Sequence, residues 1–72
     1  MNLDYAKELI KKELGKKLNF IYRGSRNQIE EFEGVIEKCY PSIFIIKTKD
    51  NIIKSFTYND FIIKNLKIIT KK

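Results

Sequence analysis

The segment spanning residues 34–47 constrains the fold of this 72-residue chain more than any other. Two runs rich in β-branched residues meet there at Tyr40-Pro41-Ser42, where proline fixes its own φ and holds Tyr40 extended. The first run begins at Ile29 and is much longer than the usual strand of about 5–6 residues. Gly34 near its middle indicates a bend or a β-bulge. A long strand that bends at a glycine can curl a sheet, and small β-barrels close in this way.

The remaining elements follow from the spacing of apolar residues. Residues 3–14 predict an amphipathic helix, with Asn2 placed to cap its start and Gly15 to supply the left-handed residue at its end. After Gly15 the apolar residues alternate, which is typical of strands. A polar loop over residues 24–28 separates the first strand from the second. Strands are predicted at residues 17–23, 29–40, 43–49, 52–58 and 62–69, with one helical turn at 58–61.

This order of elements predicts a mainly β protein, in which an N-terminal helix precedes a small five-stranded SH3-like (Sm-like) barrel. A five-stranded OB barrel is the alternative, but there a helix usually lies between strands three and four, where this chain has only Asp50-Asn51. The chain is long enough for one domain. In that domain, residues 1–14 are the helix, 16–69 the barrel and 70–72 an exposed tail.

The turn at Asp50-Asn51 predicts a two-residue hairpin between the third and fourth strands. Such a turn pairs Lys49 with Ile52 and places Lys47 opposite Lys54. Facing like charges oppose this pairing. Two alternatives therefore stay open: the register differs, or the two lysines diverge and hold an anion.

Several kinds of chemistry are excluded by composition. The chain has no histidine and one cysteine, Cys39, so no ordinary zinc site, internal disulfide or histidine acid–base pair can form. We expect no catalytic residue, no metal and no cofactor, and therefore no enzyme. No apolar run approaches the roughly 20 residues of a membrane span, and the charged N-terminus does not resemble a signal peptide. The prediction is a cytoplasmic protein that does not enter a membrane.

The formal net charge of +6 favours anionic partners. The charge is bipolar, because residues 30–37 contain four glutamates and no basic residue. The basic residues that are candidates for binding an anion, a nucleic acid or a protein partner are Lys16, Lys17, Arg23, Arg26, Lys47, Lys49 and Lys54. Each also has a structural interpretation, since such residues complement a helix dipole, solvate a turn or protect a strand edge.

Aromatic residues are the second set of binding candidates. Tyr22, Tyr40 and Tyr58 are predicted at the surface, where a ring can stack on a nucleic-acid base. Tyr40 and Tyr58 are expected at corners of the fold, with a wet hydroxyl group. Phe20, Phe32, Phe44 and Phe61 are assigned to the core, and Cys39 is expected to be a small, half-buried apolar residue.

Several short motifs in a fixed order resemble the Veg family of small bacterial proteins, found mostly in Gram-positive organisms with low genomic GC content. They are Gly15-Lys16-Lys17-Leu18, Gly24 with Arg26, Gly34, Tyr40-Pro41-Ser42-Ile43-Phe44 and Ser55-Phe56-Thr57-Tyr58-Asn59-Asp60. The resemblance implies an N-terminal helix on a small SH3-like barrel. It also implies a role in transcriptional regulation that stimulates biofilm formation. The chain departs from the family at Asn27, where a second basic residue is common, and in its shorter third hairpin.

Two functions are compatible with these observations. In the first, the protein is a non-enzymatic regulator that binds a protein partner, such as a transcription regulator. In the second, the basic loops bind DNA or RNA directly. The bipolar charge and the lack of a recognition helix favour the first. The small core also predicts a homodimer, because association adds buried area.

Overall fold

A mainly β architecture is present in the computed structural model, which describes residues 2–24 and 28–69. The elements are α1 (Leu3–Lys12), β1 (Lys17–Arg23), β2 (Ile29–Cys39), β3 (Ile43–Thr48), β4 (Ile53–Thr57), α2 (Tyr58–Ile62) and β5 (Leu66–Ile69). All five strands belong to one antiparallel sheet with the order β4-β3-β2-β1-β5. The predicted N-terminal helix and five-stranded sheet are confirmed. In the described residues no ladder joins β4 to β5, so closure of the barrel is not shown.

A single core forms on the inner face of the curled sheet. Phe56 of β4 lies 5.1 Å from Tyr22 of β1 between ring centroids, although two strands separate β4 from β1 in the sheet. Only a strongly bent sheet brings these rings together. The buried side chains of this core come from both helices and all five strands: Ile10, Phe20, Ile36, Phe44, Ile46, Phe56, Tyr58 and Leu66.

Helix α1 covers one end of this core, where it packs on α2 and β2. The Asn2 side chain caps it as predicted, because Oδ1 accepts a hydrogen bond of 2.8 Å from the Tyr5 amide. The helix ends at Lys12, two residues before the predicted end. Leu14 instead forms a parallel bridge to Ile36, and the Gly15 amide donates to the Ile36 carbonyl at 3.0 Å. Gly15 has the predicted left-handed conformation, with φ of 81°.

Strand β2 contains both a bulge and a crowded glycine, at different residues. The bulge is at Glu37, because Ile36 pairs with Ile46 whereas Lys38 pairs with Ile45. Gly34 has a separate function: a Cβ atom there would lie only 2.8 Å from both Ile46 Cγ2 and the Lys47 carbonyl oxygen. Glycine is therefore needed at this position because β3 approaches the β2 backbone closely.

The hairpin between β3 and β4 has a three-residue loop, so the predicted two-residue turn is wrong. Lys47 pairs with Ile53, and Lys54 pairs with Ile46, which shows that the register differs and that the two lysines are not opposed. Asn51 adopts a left-handed φ of 64°, and its amide donates to the Thr48 carbonyl at 2.9 Å. The buried Thr48 hydroxyl also accepts hydrogen bonds from two loop amides. These features define a turn followed by a left-handed residue.

The helical turn predicted before the last strand is confirmed and is longer than expected. Thr57 and Asp60 form a reciprocal capping box at the start of α2. Lys64 then adopts φ of 66°, and the Asn65 amide donates to the Asp60 carbonyl at 2.9 Å. Because the hydrogen bonds that end α2 extend to Asn65, β5 begins at Leu66 and not at residue 62 as predicted.

Candidate binding surface

Lys16 and Lys17, two of the predicted basic candidates, lie at the surface and form ion pairs with nearby carboxylates. Lys16 Nζ lies 3.4 Å from Glu13 Oε2, and Lys17 Nζ lies 3.6 Å from Glu33 Oε2. Exposed pairs of this kind contribute at most about 1 kcal/mol to stability. They do lower the positive potential that an anionic ligand would meet.

Lys54 has a structural environment and does not project from the surface. Its Nζ atom lies 3.0 Å from Glu30 Oε1 and 5.3 Å from the ring centroid of Phe32. Its pairing with Ile46 places it on the inner face of the sheet. Lys54 therefore covers an open end of the core with its aliphatic stem and directs its charge to Glu30.

Three predicted lysines are brought together on the outer face of the sheet. Lys17, Lys47 and Lys49 line a shallow cavity of about 140 Å³ above Gly34. Glu33 and Glu37 line the same cavity, so its charge is mixed. The acidic strand β2 runs between the basic strands, and this strand order places the carboxylates among the lysines.

Arg23 lies at a different part of the surface, beside two lysines that were not among the predicted basic candidates. It lines a second cavity of about 160 Å³ with Lys64 and Lys67, over an apolar surface that includes Ile21 and Ile29. The ladder between β1 and β5 pairs Ile21 with Lys67 and produces this cluster. The alternation of residues in the last strand indicated that Lys67 is exposed. Its position beside Arg23 follows only from the pairing of β5 with β1. Arg26, like the predicted tail at 70–72, lies outside the described residues.

The three candidate tyrosines differ sharply in exposure. Tyr40 is 45% exposed, in agreement with the prediction. Tyr22 is half-buried and contacts Phe56. The prediction for Tyr58 is wrong, because its side chain is only 2% exposed. Tyr58 begins α2, and its ring packs 5.3 Å from the ring of Phe44, with Lys7 Nζ 5.7 Å from its centroid.

The buried position of Tyr58 makes stability depend on alkaline pH. Burial raises the pKa of Tyr58 from 10.0 to about 12, and the neighbouring Cys39 adds to the shift. Because the folded pKa is higher than the unfolded one, the stabilisation is complete below pH 10 and is lost as pH rises towards about 12. We expect the free energy of unfolding to fall over this interval in the wild type and to fall less in Tyr58→Phe.

Urea denaturation at a series of pH values measures this difference. Tyr40→Phe is the matched control, because it removes one hydroxyl group from an exposed tyrosine. The control should show the same alkaline loss of stability as the wild type. Equal pH dependence in Tyr58→Phe and Tyr40→Phe would contradict the assignment.

No helix in residues 2–24 and 28–69 combines the length and apolar character that crossing a membrane requires.

The fold and surface together define a class of small mainly β protein, in which a helix covers one end of a curled five-stranded antiparallel sheet with a surface of mixed charge. The chain belongs to the VEG family, described as Biofilm formation stimulator VEG, and the family model matches residues 1–69. The resemblance noted from the sequence motifs is confirmed. Family membership assigns the chain to the biofilm formation stimulators. Comparison with curated proteins gives no match.

Proposed function

We propose that the protein is a non-enzymatic regulator that stimulates biofilm formation by binding a protein partner, with a transcription regulator as the expected class of partner. The exposure of four isoleucine side chains is the observation that carries this proposal. The exposed fractions are 64% for Ile29, 54% for Ile52, 59% for Ile53 and 54% for Ile63. Apolar side chains within a polar surround are typical of protein interfaces.

Direct binding of DNA or RNA is the second candidate function, and the net charge of +6 favours it. A nucleic-acid interface requires a strongly positive surface. Here Lys16, Lys17 and Lys54 are paired with carboxylates, and Lys47 and Lys49 share a cavity with Glu33 and Glu37. This arrangement supports a protein partner over a polyanion.

Affinity capture tests the protein-binding proposal directly. The tagged protein is incubated with a nuclease-treated lysate of its source organism, crosslinked and recovered. We expect one protein to be enriched, to bind the purified chain in a second assay and to act on transcription. A destabilised core variant, Phe44→Ala, controls for binding to exposed apolar surface. An empty capture in repeated crosslinked experiments would overturn the proposal.

A gel-retardation assay separates the two candidate functions. If the chain binds DNA or RNA, the logarithm of its affinity falls with the logarithm of salt concentration by roughly 0.7–0.9 per phosphate contacted. We expect no retardation at low salt. Salt-dependent retardation that Arg23→Ala weakens would favour the second function. The proposed homodimer is checked separately, by light scattering.

A further inference from the structure

Strand β5 is an edge of the sheet, and part of its main chain is turned away from its neighbour. The Arg23 amide donates to the Asn65 carbonyl at 2.6 Å, which identifies a hydrogen-bonded pair at the start of the β1–β5 ladder. Hydrogen-bonded and non-hydrogen-bonded pairs alternate in an antiparallel ladder. The main-chain groups of Ile68, which is opposite Phe20, are therefore directed to the open edge, whereas Leu66 is only 1% exposed. Within the described residues, no turn, loop or cap hydrogen bond uses them.

An apolar groove with a basic rim runs along this edge. Phe61, Leu66 and Ile68 line a cavity of about 340 Å³, and Lys64 and Lys67 stand beside them. Lys64 and Lys67 also line the neighbouring cavity that contains Arg23. We call the edge of β5 together with the cavity of Phe61, Lys64, Leu66, Lys67 and Ile68 the β5 edge groove. It offers main-chain hydrogen bonds, apolar surface and positive charge at one place.

The positive charge at the groove is not neutralised in the described part of the chain. The ion pairs found there involve Lys16, Lys17 and Lys54, and none involves Arg23, Lys64 or Lys67. Two carboxylates lie near the groove, one close in the sequence and one close in the sheet. Asp60 accepts a hydrogen bond from the Thr57 amide in the capping box, and Glu31 is on the far side of Ile21 from Lys67. The three cations therefore leave a net positive groove.

The net positive charge of the groove favours an acidic segment as its ligand. A second copy of the chain offers the edge of β4, whose residues Ile53–Thr57 include Lys54 and no carboxylate. It also offers the start of the acidic strand β2, because Ile29–Phe32 pair with β1 only, but Glu30 there already forms an ion pair with Lys54. Charge complementarity thus favours a different protein over a second copy.

We propose that the β5 edge groove binds an extended segment of the protein partner, with alternating acidic and apolar side chains, as an added strand of the sheet. This inference rests on the proposed function, in which the protein acts by binding a protein partner. The added strand bonds to the main chain of Ile68. Its apolar side chains lie beside those of Phe61 and Ile68, and its acidic side chains face Lys64, Lys67 and Arg23.

A fluorescent peptide of about eight residues, with alternating glutamate and valine, is the direct probe, since strands usually have 3–10 residues. Anisotropy should show binding that weakens as salt rises, because the groove attraction is partly electrostatic. A peptide of alternating lysine and valine should not bind. If the acidic peptide does not bind at low salt, or if the basic one binds equally well, the proposal is overturned.

A charge-reversal variant assigns the peptide to this groove. K64E/K67E should weaken binding by at least about tenfold, because each reversal replaces an attraction by a repulsion near the ligand. K11E/K12E is the matched control, since it makes the same charge change on two exposed lysines of α1. Circular dichroism checks that both variants are folded. Equal loss of binding in both variants would show a general charge effect and overturn the assignment.

Methylated peptides separate strand addition from simple attraction of charges. One peptide is N-methylated at its valine amides and another at its glutamate amides, so that each lacks the donors of one strand edge. Strand addition requires that one of them loses binding and the other retains it. Equal binding of the two peptides would overturn strand addition.

The partner capture distinguishes failure of this inference from failure of the proposed function. If K64E/K67E recovers the partner as well as the wild type does, the groove assignment is wrong and the proposed function stands. If the wild type recovers no partner, the proposed function fails. Loss of self-association or of DNA retardation in K64E/K67E, with peptide binding unchanged, would assign the groove to a second copy or to nucleic acid instead.

Discussion

Replacement of Phe44 by alanine is expected to lower the free energy of unfolding by about 3–5 kcal/mol. The Phe44 side chain is fully buried, and its ring lies 6.2 Å from that of Phe56 and 5.3 Å from that of Tyr58. It therefore joins β4 to α2 across the inner face of the sheet. A chain of this size has a total stability of roughly 4–11 kcal/mol. If the wild type lies at the lower end of this range, the variant is close to its unfolding midpoint at room temperature.

Chemical denaturation followed by circular dichroism measures this loss. Tyr40→Ala is the matched control, because it removes another aromatic ring close by on the chain, from a side chain that is 45% exposed. We expect the control to change stability by less than about 1 kcal/mol. A loss in Phe44→Ala as small as that in the control would mean that the ring does not hold the sheet and α2 together.

Local patterns were sufficient to predict most of the elements. Asn2 caps α1 because its side chain reaches an amide three residues along the chain, and this contact depends on nearby residues alone. The left-handed φ of Gly15 and the helical turn at Tyr58 are likewise short-range features. The corner at Tyr40-Pro41-Ser42 separates β2 from β3 as predicted.

The wrong predictions concern properties that depend on distant parts of the chain. Tyr58 was expected at the surface because it lies at a corner, but α1 and Phe44 bury it from two sides. The β3–β4 register depended on Asn51 adopting φ of 64° and on the buried Thr48 hydroxyl. Neither the packing over Tyr58 nor the burial of Thr48 is visible in the alternation of apolar residues.

For the candidate binding residues, too, the sequence predicted local properties but not the contacts between distant parts of the chain. The sequence indicated which basic residues are present, but strand order decided how they group. Lys17 and Lys47 are brought together across β2, whereas Arg23 meets Lys64 and Lys67 because β5 pairs with β1. Lys64 and Lys67 were missed because their proximity to Arg23 depends on a ladder between the two ends of the chain.

Strand order also gives the bipolar charge a structural meaning. The acidic β2 lies between β1 and β3, so Glu33 pairs with Lys17 of the neighbouring strand. The bend of the sheet also brings Glu30 to Lys54 of β4, beyond β3. Carboxylates thus accompany the lysines of the sheet centre, and within residues 2–24 and 28–69 the positive charge at β5 has no ion-pair partner. A protein that binds an acidic segment at one edge gains selectivity from this distribution, since the neutralised centre attracts polyanions weakly.

Replacement of Gly34 by alanine is the second change with a large expected effect. The new Cβ atom would lie 2.8 Å from Ile46 Cγ2, 2.8 Å from the Lys47 carbonyl oxygen and 3.3 Å from the Thr48 Cα atom. Two of these three atoms belong to the main chain of β3, so rotation of a side chain does not relieve the contact. Strand β3 must move away from β2, and we expect a loss of about 1–3 kcal/mol or more in the free energy of unfolding.

The other two glycines provide matched controls for the same substitution. Gly15→Ala has open space for its Cβ atom, but φ of 81° makes it unfavourable by about 1–2 kcal/mol. Gly24→Ala meets no atom closer than 3.8 Å and should change stability by less than about 1 kcal/mol. Chemical denaturation of the three variants should place Gly34→Ala first in loss of stability and Gly24→Ala last. Because the main chain of β3 lies against Gly34, a small effect there would mean that β3 moves away from β2 easily.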